Sequence, residues 1–141
     1  MWNGAGATLR SYGVEVTAAQ LSDGPAIADR YGAWRQVLAD CLPGSHGAFL
    51  HGLGMSYQAG DYLFVHAGIR PGVPLPRQQP QDMVWIRGAF LHSQANHGVC
   101  VVHGHTIFPE PNFNANRIGI DTGAYATDRL TCLVLEDDAQ R

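Results

Sequence analysis

Two histidine-bearing stretches, Phe64-Val65-His66-Ala67-Gly68 and Val101-Val102-His103-Gly104-His105-Thr106, carry the clearest chemical potential in this chain. Neutral imidazole is the commonest side-chain ligand for divalent metals near physiological pH, and sites for Mn, Fe or Zn usually combine it with oxygen donors. His66 and His105 each follow a strand-like apolar run, so their rings leave a sheet where the backbone turns, a place where ligands gather. Gly68 leaves backbone room beside the His66 imidazole. His103 and His105 stand two apart on an extended segment and share a face, with Gly104 clearing space between them. One of that pair can bind metal while the other supports it. The bland alternative for each is a hydrogen-bonded histidine without metal.

Arg87, in Val84-Trp85-Ile86-Arg87, ends a semi-apolar run that can hold a guanidinium firmly, and fixed bidentate donors suit a phosphoryl group. A surface ion pair is the alternative role. Arg70 reads as a loop surface residue. Asp121, in Asp121-Thr122-Gly123-Ala124-Tyr125, can hydrogen-bond a ligand histidine and fix its tautomer, or can simply form a turn. Tyr125 can reach the site or cap the sheet. His46, His51 and His92 read as structural or surface residues, and Asn96-His97 sits in a polar loop that argues against a metal pair.

These residues need elements to position them. Ser22-Asp23-Gly24-Pro25 starts a helix whose apolar positions Ile27, Tyr31, Trp34, Val37 and Leu38 recur at helical spacing until Pro43. Ser45 to Leu53 predicts a second, short helix with Phe49, Leu50 and Leu53 as its stripe. Met55–Gln58 and Tyr62–His66 predict a hairpin around Ala-Gly-Asp that delivers His66 to its mouth. Gly68 to Gln81 holds several prolines and reads as an irregular, functional or partner-facing loop. Val84 to His92 predicts a helix. Val99–Val102, Arg117–Ile120 and Leu130–Leu135 are further strands. Met1 to Gly13 shows no convincing period.

The whole chain, at 141 residues with 45% hydrophobic content, reads as one α/β domain. A net charge of -3 from 15% charged residues gives no basic field for nucleic acid or anionic lipid. All nine basic residues are arginine, which removes lysine Schiff-base chemistry and leaves guanidinium forks for phosphate or carboxylate. Cys41, Cys100 and Cys132 form no C-x-x-C pair, and Cys100 and Cys132 lie in apolar runs, so buried thiols in a reducing compartment are expected. No leader pattern or span of ~20 apolar residues is present, and the expectation is a soluble, cytoplasmic protein with no membrane or nucleic-acid partner.

Taken in order, Thr8-Leu9-Arg10-Ser11-Tyr12-Gly13, Phe64-Val65-His66-Ala67-Gly68-Ile69-Arg70-Pro71-Gly72, Trp85-Ile86-Arg87, His103-Gly104-His105-Thr106 and Ile120-Asp121-Thr122-Gly123-Ala124 form a specific series. It resembles the bacterial serine/threonine phosphoprotein phosphatases of the calcineurin-like metallophosphoesterase superfamily, over residues 2–135. The symmetrical diadenosine tetraphosphatases are related, with similar motifs. The resemblance implies a β-sandwich flanked by helices and a pair of divalent metals, Mn, Fe or Zn. It implies that His66 and His105 are ligands of the second metal, that His103 lies beside the ligand position, and that Arg87 grips the substrate phosphate. Asp121 and Tyr125 remain near-site candidates.

The family's Asp-x-His, Gly-Asp-x-x-Asp-Arg-Gly and Gly-Asn-His-Glu or Gly-Asn-His-Asp motifs do not occur in this sequence. By the resemblance they would supply the first metal's ligands, the bridging aspartate, a second phosphate arginine and the general acid, so the α/β fold is expected to be partial, lacking the amino-terminal βαβ motifs. The chain then reads as the carboxyl half of an enzyme, weakly active or inactive alone, with exposed apolar surface or an open sheet edge. Its substrate would be a phosphoprotein or small phosphoester. The alternatives are a non-catalytic binding module derived from the fold and a symmetrical diadenosine tetraphosphatase.

Overall fold

A computed structural model describes residues 4–15, 27–136 and 139–140 of the chain. Two compact units divide it, Met1–Leu53 and Gly54–Arg141. In the first, α1 (Ala5–Ser11), α2 (Ile27–Cys41) and α3 (Gly44–Gly52) are all helical. The start signal at residues 22–25 lies outside the described residues, whereas the expected stop at Pro43 matches the end of α2 at Cys41. α1 falls where the sequence shows no period. Its run Ala-Gly-Ala-Thr-Leu-Arg-Ser has Leu9 as its buried apolar side chain, too little to reveal periodicity. The stripe expected on α3 is not buried: Phe49, Leu50 and Leu53 are all exposed.

The second unit is a mixed α/β structure around a five-stranded sheet. β1 (Ser56–Ala59) and β2 (Tyr62–Val65) form the expected hairpin, closed by Gly60-Asp61 with Gly60 at φ 54°, a left-handed backbone that suits glycine. After β2 come a 3-10 turn (Leu75–Arg77) and two short helices, α4 (Pro80–Trp85) and α5 (Gly88–Leu91). β3 (Cys100–His103), β4 (Asn112–Asn114) and β5 (Arg117–Gly119) complete the sheet, in the order β1-β2-β3-β5-β4. β2, β3 and β5 run parallel, flanked by antiparallel β1 and β4. A helix α6 (Ala124–Thr127) and a small pairing of β6 (Leu135–Glu136) with β7 (Ala139–Gln140) follow.

Leu63, Val65 and Val101 alternate onto one sheet face and pack with Ala67, Ile69, Ile86 and Phe90, so α4 and α5 cover that face. This packing explains why the single helix expected at Val84–His92 is broken. The chain is extended at Ile86 (ψ 142°), which turns Ile86 and then Phe90 into the core and leaves Arg87 exposed between them. The loop 68–79 is held together by Gln78, 8% exposed, which accepts from Arg70 N–H and donates to the carbonyls of Arg70 and Val73. β4 has no counterpart among the expected strands, because Asn-Phe-Asn is short and mostly polar. Conversely, only the end of the Leu130–Leu135 run is paired, at Leu135.

That loss of strand also corrects the cysteine expectation. Cys132 is exposed, as is Cys41, whereas Cys100 in β3 is half-buried and its thiol pKa is pushed up by burial. β1 is exposed at all four positions and forms an edge of the sheet. No helix among the described residues is long and apolar enough to cross a membrane.

Candidate metal- and phosphate-facing site

The C-terminal ends of the three parallel strands bring the sequence's candidates together. His66 follows the last residue of β2, His103 ends β3, and Asp121 lies two residues beyond β5. The strand register pairs Val65 with His103 and His103 with Gly119, so the three ends are level. Backbone bonds hold the turns that follow. Gly104 N–H donates to the His66 carbonyl at 2.9 Å, Ile120 N–H to the His103 carbonyl at 2.9 Å, and Phe108 N–H to the Asp121 carbonyl at 2.9 Å.

His105 projects from a strained turn. Its φ of 63° is unusual for a residue with a side chain, and Thr106 N–H closes the turn onto the Gly104 carbonyl at 2.7 Å. Such strain persists only where surrounding structure enforces it and is concentrated at functional sites. The turn brings His105 Nδ1 to 3.2 Å from His66 Nε2. His105 Nε2 is buried without a hydrogen-bond partner. Burial first, and then the charge of Arg87, lowers the His105 pKa, so its imidazole is held in the neutral form that binds metals.

Arg87 donates from Nη1 to Thr106 Oγ1 at 3.1 Å, which ties the guanidinium to the turn carrying His105. Its other N–H groups have no hydrogen-bond partner among the described residues and face solvent. Trp85, 52% exposed, meets the His105 ring edge-to-face with centroids 5.4 Å apart. Arg70 is drawn elsewhere, into a forked ion pair with Asp82 at 2.7 and 2.5 Å.

His103 is placed differently from His105. It is 1% exposed, wedged edge-on between Phe90 and Phe108, with Nδ1 3.1 Å from the Gly104 carbonyl and Nε2 unpartnered. Burial, above all, lowers its pKa. Asp121 accepts the Gly123 N–H at 2.9 Å, a turn-forming bond, rather than an imidazole proton. Its charge still acts on both histidines in the raising direction. Tyr125, on α6, is 88% exposed. Thr106 and Trp85 are the participants that the sequence left without a role. Their signal was adjacency, Thr106 directly after His105 and Trp85 two residues before Arg87.

His66 Nε2 and His105 Nδ1 hydrogen-bond to each other at 3.2 Å, a spacing that would also let the two nitrogens share one divalent ion in place of that bond. The pair is not a complete ligand set, because among the described residues no three His, Cys, Asp or Glu side chains lie close enough together to hold a metal. Compared with known proteins, the chain matches no protein-family model and no curated protein.

Proposed function

We propose that His66, His105 and Arg87 form the phosphate-facing part of a metal-dependent phosphoric monoester hydrolase of the calcineurin-like metallophosphoesterase type, acting on serine or threonine phosphoproteins. The observation that carries this reading is one convergence. An imidazole pair with its nitrogens 3.2 Å apart lies beside an arginine fork braced by Thr106, at the C-terminal ends of adjacent parallel strands. The protein-phosphatase assignment rests on the resemblance of the ordered motifs.

In this reading the Arg87 fork takes two phosphate oxygens, a geometry that a point charge such as lysine does not reproduce. Thr106 fixes the direction in which the fork points. His66 and His105 would hold one divalent ion, which when bound neutralises phosphate charge and lowers the pKa of its water. A Cβ at Gly104 would meet Asp121 and the His66 carbonyl only at ordinary van der Waals distance, 3.7 Å. The shortage of carboxylate ligands at the pair makes slow turnover or none the expectation for this chain.

That same shortage favours a second reading, a non-catalytic module that binds phosphoesters without cleaving them. Titrating the chain with Mn²⁺ by calorimetry, alongside phosphate release from a phosphoserine peptide, tests both. The expectation is weak Mn²⁺ binding that His105→Ala abolishes, with little or no release. Unaltered Mn²⁺ affinity in both His66→Ala and His105→Ala would refute the site. Rapid metal-dependent release, lost in His105→Ala, would remove the binding-module reading.

A further inference from the structure

Among the described residues of the second unit, Trp85 is a large aromatic side chain that both touches the candidate site and stays open to solvent. It ends α4, and the next residue, Ile86, is anchored in the core at 7% exposure, so the backbone beneath the indole is held in place. The indole meets His105 edge-to-face at 5.4 Å yet remains 52% exposed, whereas Phe90, five residues later, is fully buried. Arg87 follows two residues after it and faces the same turn through Thr106. An exposed aromatic residue alone is ordinary. This one lies against a candidate ligand imidazole, two residues before the arginine that would hold the phosphate.

We infer that Trp85 is a specificity-determining residue, selecting phosphoesters whose organic part presents a flat ring next to the phosphoryl group. The inference rests on the phosphoester reading of His66, His105 and Arg87. With the phosphate oxygens on the Arg87 fork, the group attached to the ester oxygen lies beside the indole, and a ring there stacks on it. Stacking of a flat ring on an aromatic side chain is sequence-tolerant because it uses only the π-face, and its loss on alanine substitution corresponds to about 5- to 150-fold in affinity. The ring can belong to the ester itself or to a peptide side chain adjoining the phosphorylated residue.

The test is calorimetric binding to the full chain in Mn²⁺, with four probes. These are methyl phosphate, phenyl phosphate, and two phosphoserine peptides identical except for Phe or Ala after the phosphoserine. The expected result is a ring preference of about 5- to 150-fold. It should collapse in Trp85→Ala and survive in part in Trp85→Phe, with circular dichroism unchanged. Preference for phenyl phosphate alone identifies an aryl ester as the source of the ring, and preference for the Phe peptide alone identifies a peptide side chain. Equal affinity for ring-bearing and ring-free probes, with methyl phosphate binding still lost in Arg87→Ala, overturns the role of Trp85 and leaves the phosphoester site standing. Absence of any Arg87-dependent phosphate binding overturns the site and the preference together.

Discussion

Replacing Gly68 by alanine should damage both the core and the site, and the structure sets the size of the effect. Gly68 lies two residues past His66 at φ 145°, a backbone conformation that side-chain-bearing residues rarely adopt. A Cβ built there would come within 2.3 Å of Phe90 Cδ1, 2.7 Å of Cε1 and 2.8 Å of Cγ. The ring has nowhere to retreat, because Phe90 is fully buried and packed edge-on against His103 with centroids 5.1 Å apart. Forcing an extra carbon into such a core costs about 1–3 kcal/mol. A residue held in a glycine-only backbone region adds about 1–3 kcal/mol. The sum, about 2–6 kcal/mol, is a large part of the roughly 5–15 kcal/mol that stabilises a typical domain. Urea unfolding followed by circular dichroism should show a lower midpoint at unchanged slope, since the surface exposed on unfolding is the same. His66 hangs from the same turn, so Mn²⁺ affinity should fall in the material that remains folded. A Gly68→Ala midpoint equivalent to a loss of less than about 0.5 kcal/mol, the scale of an ordinary surface change, would refute the packing argument.

Three further outcomes follow from single contacts. Arg87→Lys keeps the charge but loses the fork and the Thr106 bond, and should weaken phosphate binding about tenfold or more by calorimetry, at the scale of a charge-assisted hydrogen bond. Arg70 holds the Asp82 carboxyl below its ordinary pKa, first through their hydrogen bond and also through its charge. Because that pKa is depressed in the folded state, the pair's stabilisation is present above the unfolded carboxylate value of about 3.9 and is lost as pH falls through the folded value. Urea midpoints at pH 7 and pH 3 should therefore differ less in Asp82→Asn than in the parent chain. Gln78→Ala removes three hydrogen bonds to the backbone of the 70–73 loop and should cost about 1–3 kcal/mol, with faster amide exchange at Arg70 as the direct readout.

The elements that the sequence exposed were those whose signal is local. The Gly60-Asp61 hairpin reads directly because a left-handed turn demands glycine between two alternating strands. The runs ending at Val65 and His103 read as strands because they are apolar and short. What stayed hidden depended on neighbours. The break between Trp85 and Gly88 comes from burying Ile86 and Phe90 together, and Asn112–Asn114 is a strand only because β5 pairs with it. Asp121 carried two readings in the sequence, and its bond to Gly123 N–H is the turn-forming one.

By itself the sequence determined which side chains can do chemistry here: two imidazoles at strand ends, an arginine fork, and no lysine. The ordered motifs on which the proposed metallophosphoesterase reading rests are likewise a property of the sequence alone. Tertiary structure alone decided that His66 and His105 meet while His103, two residues away, does not join them. An extended strand would have placed His103 and His105 on one face. The sharp turn at His105, with φ at 63°, ends that alternation, sending His103 into the core against Phe90 and turning His105 toward His66 across the sheet end. Periodicity fixes which way a side chain points only while the backbone stays regular, and this site begins where regularity stops.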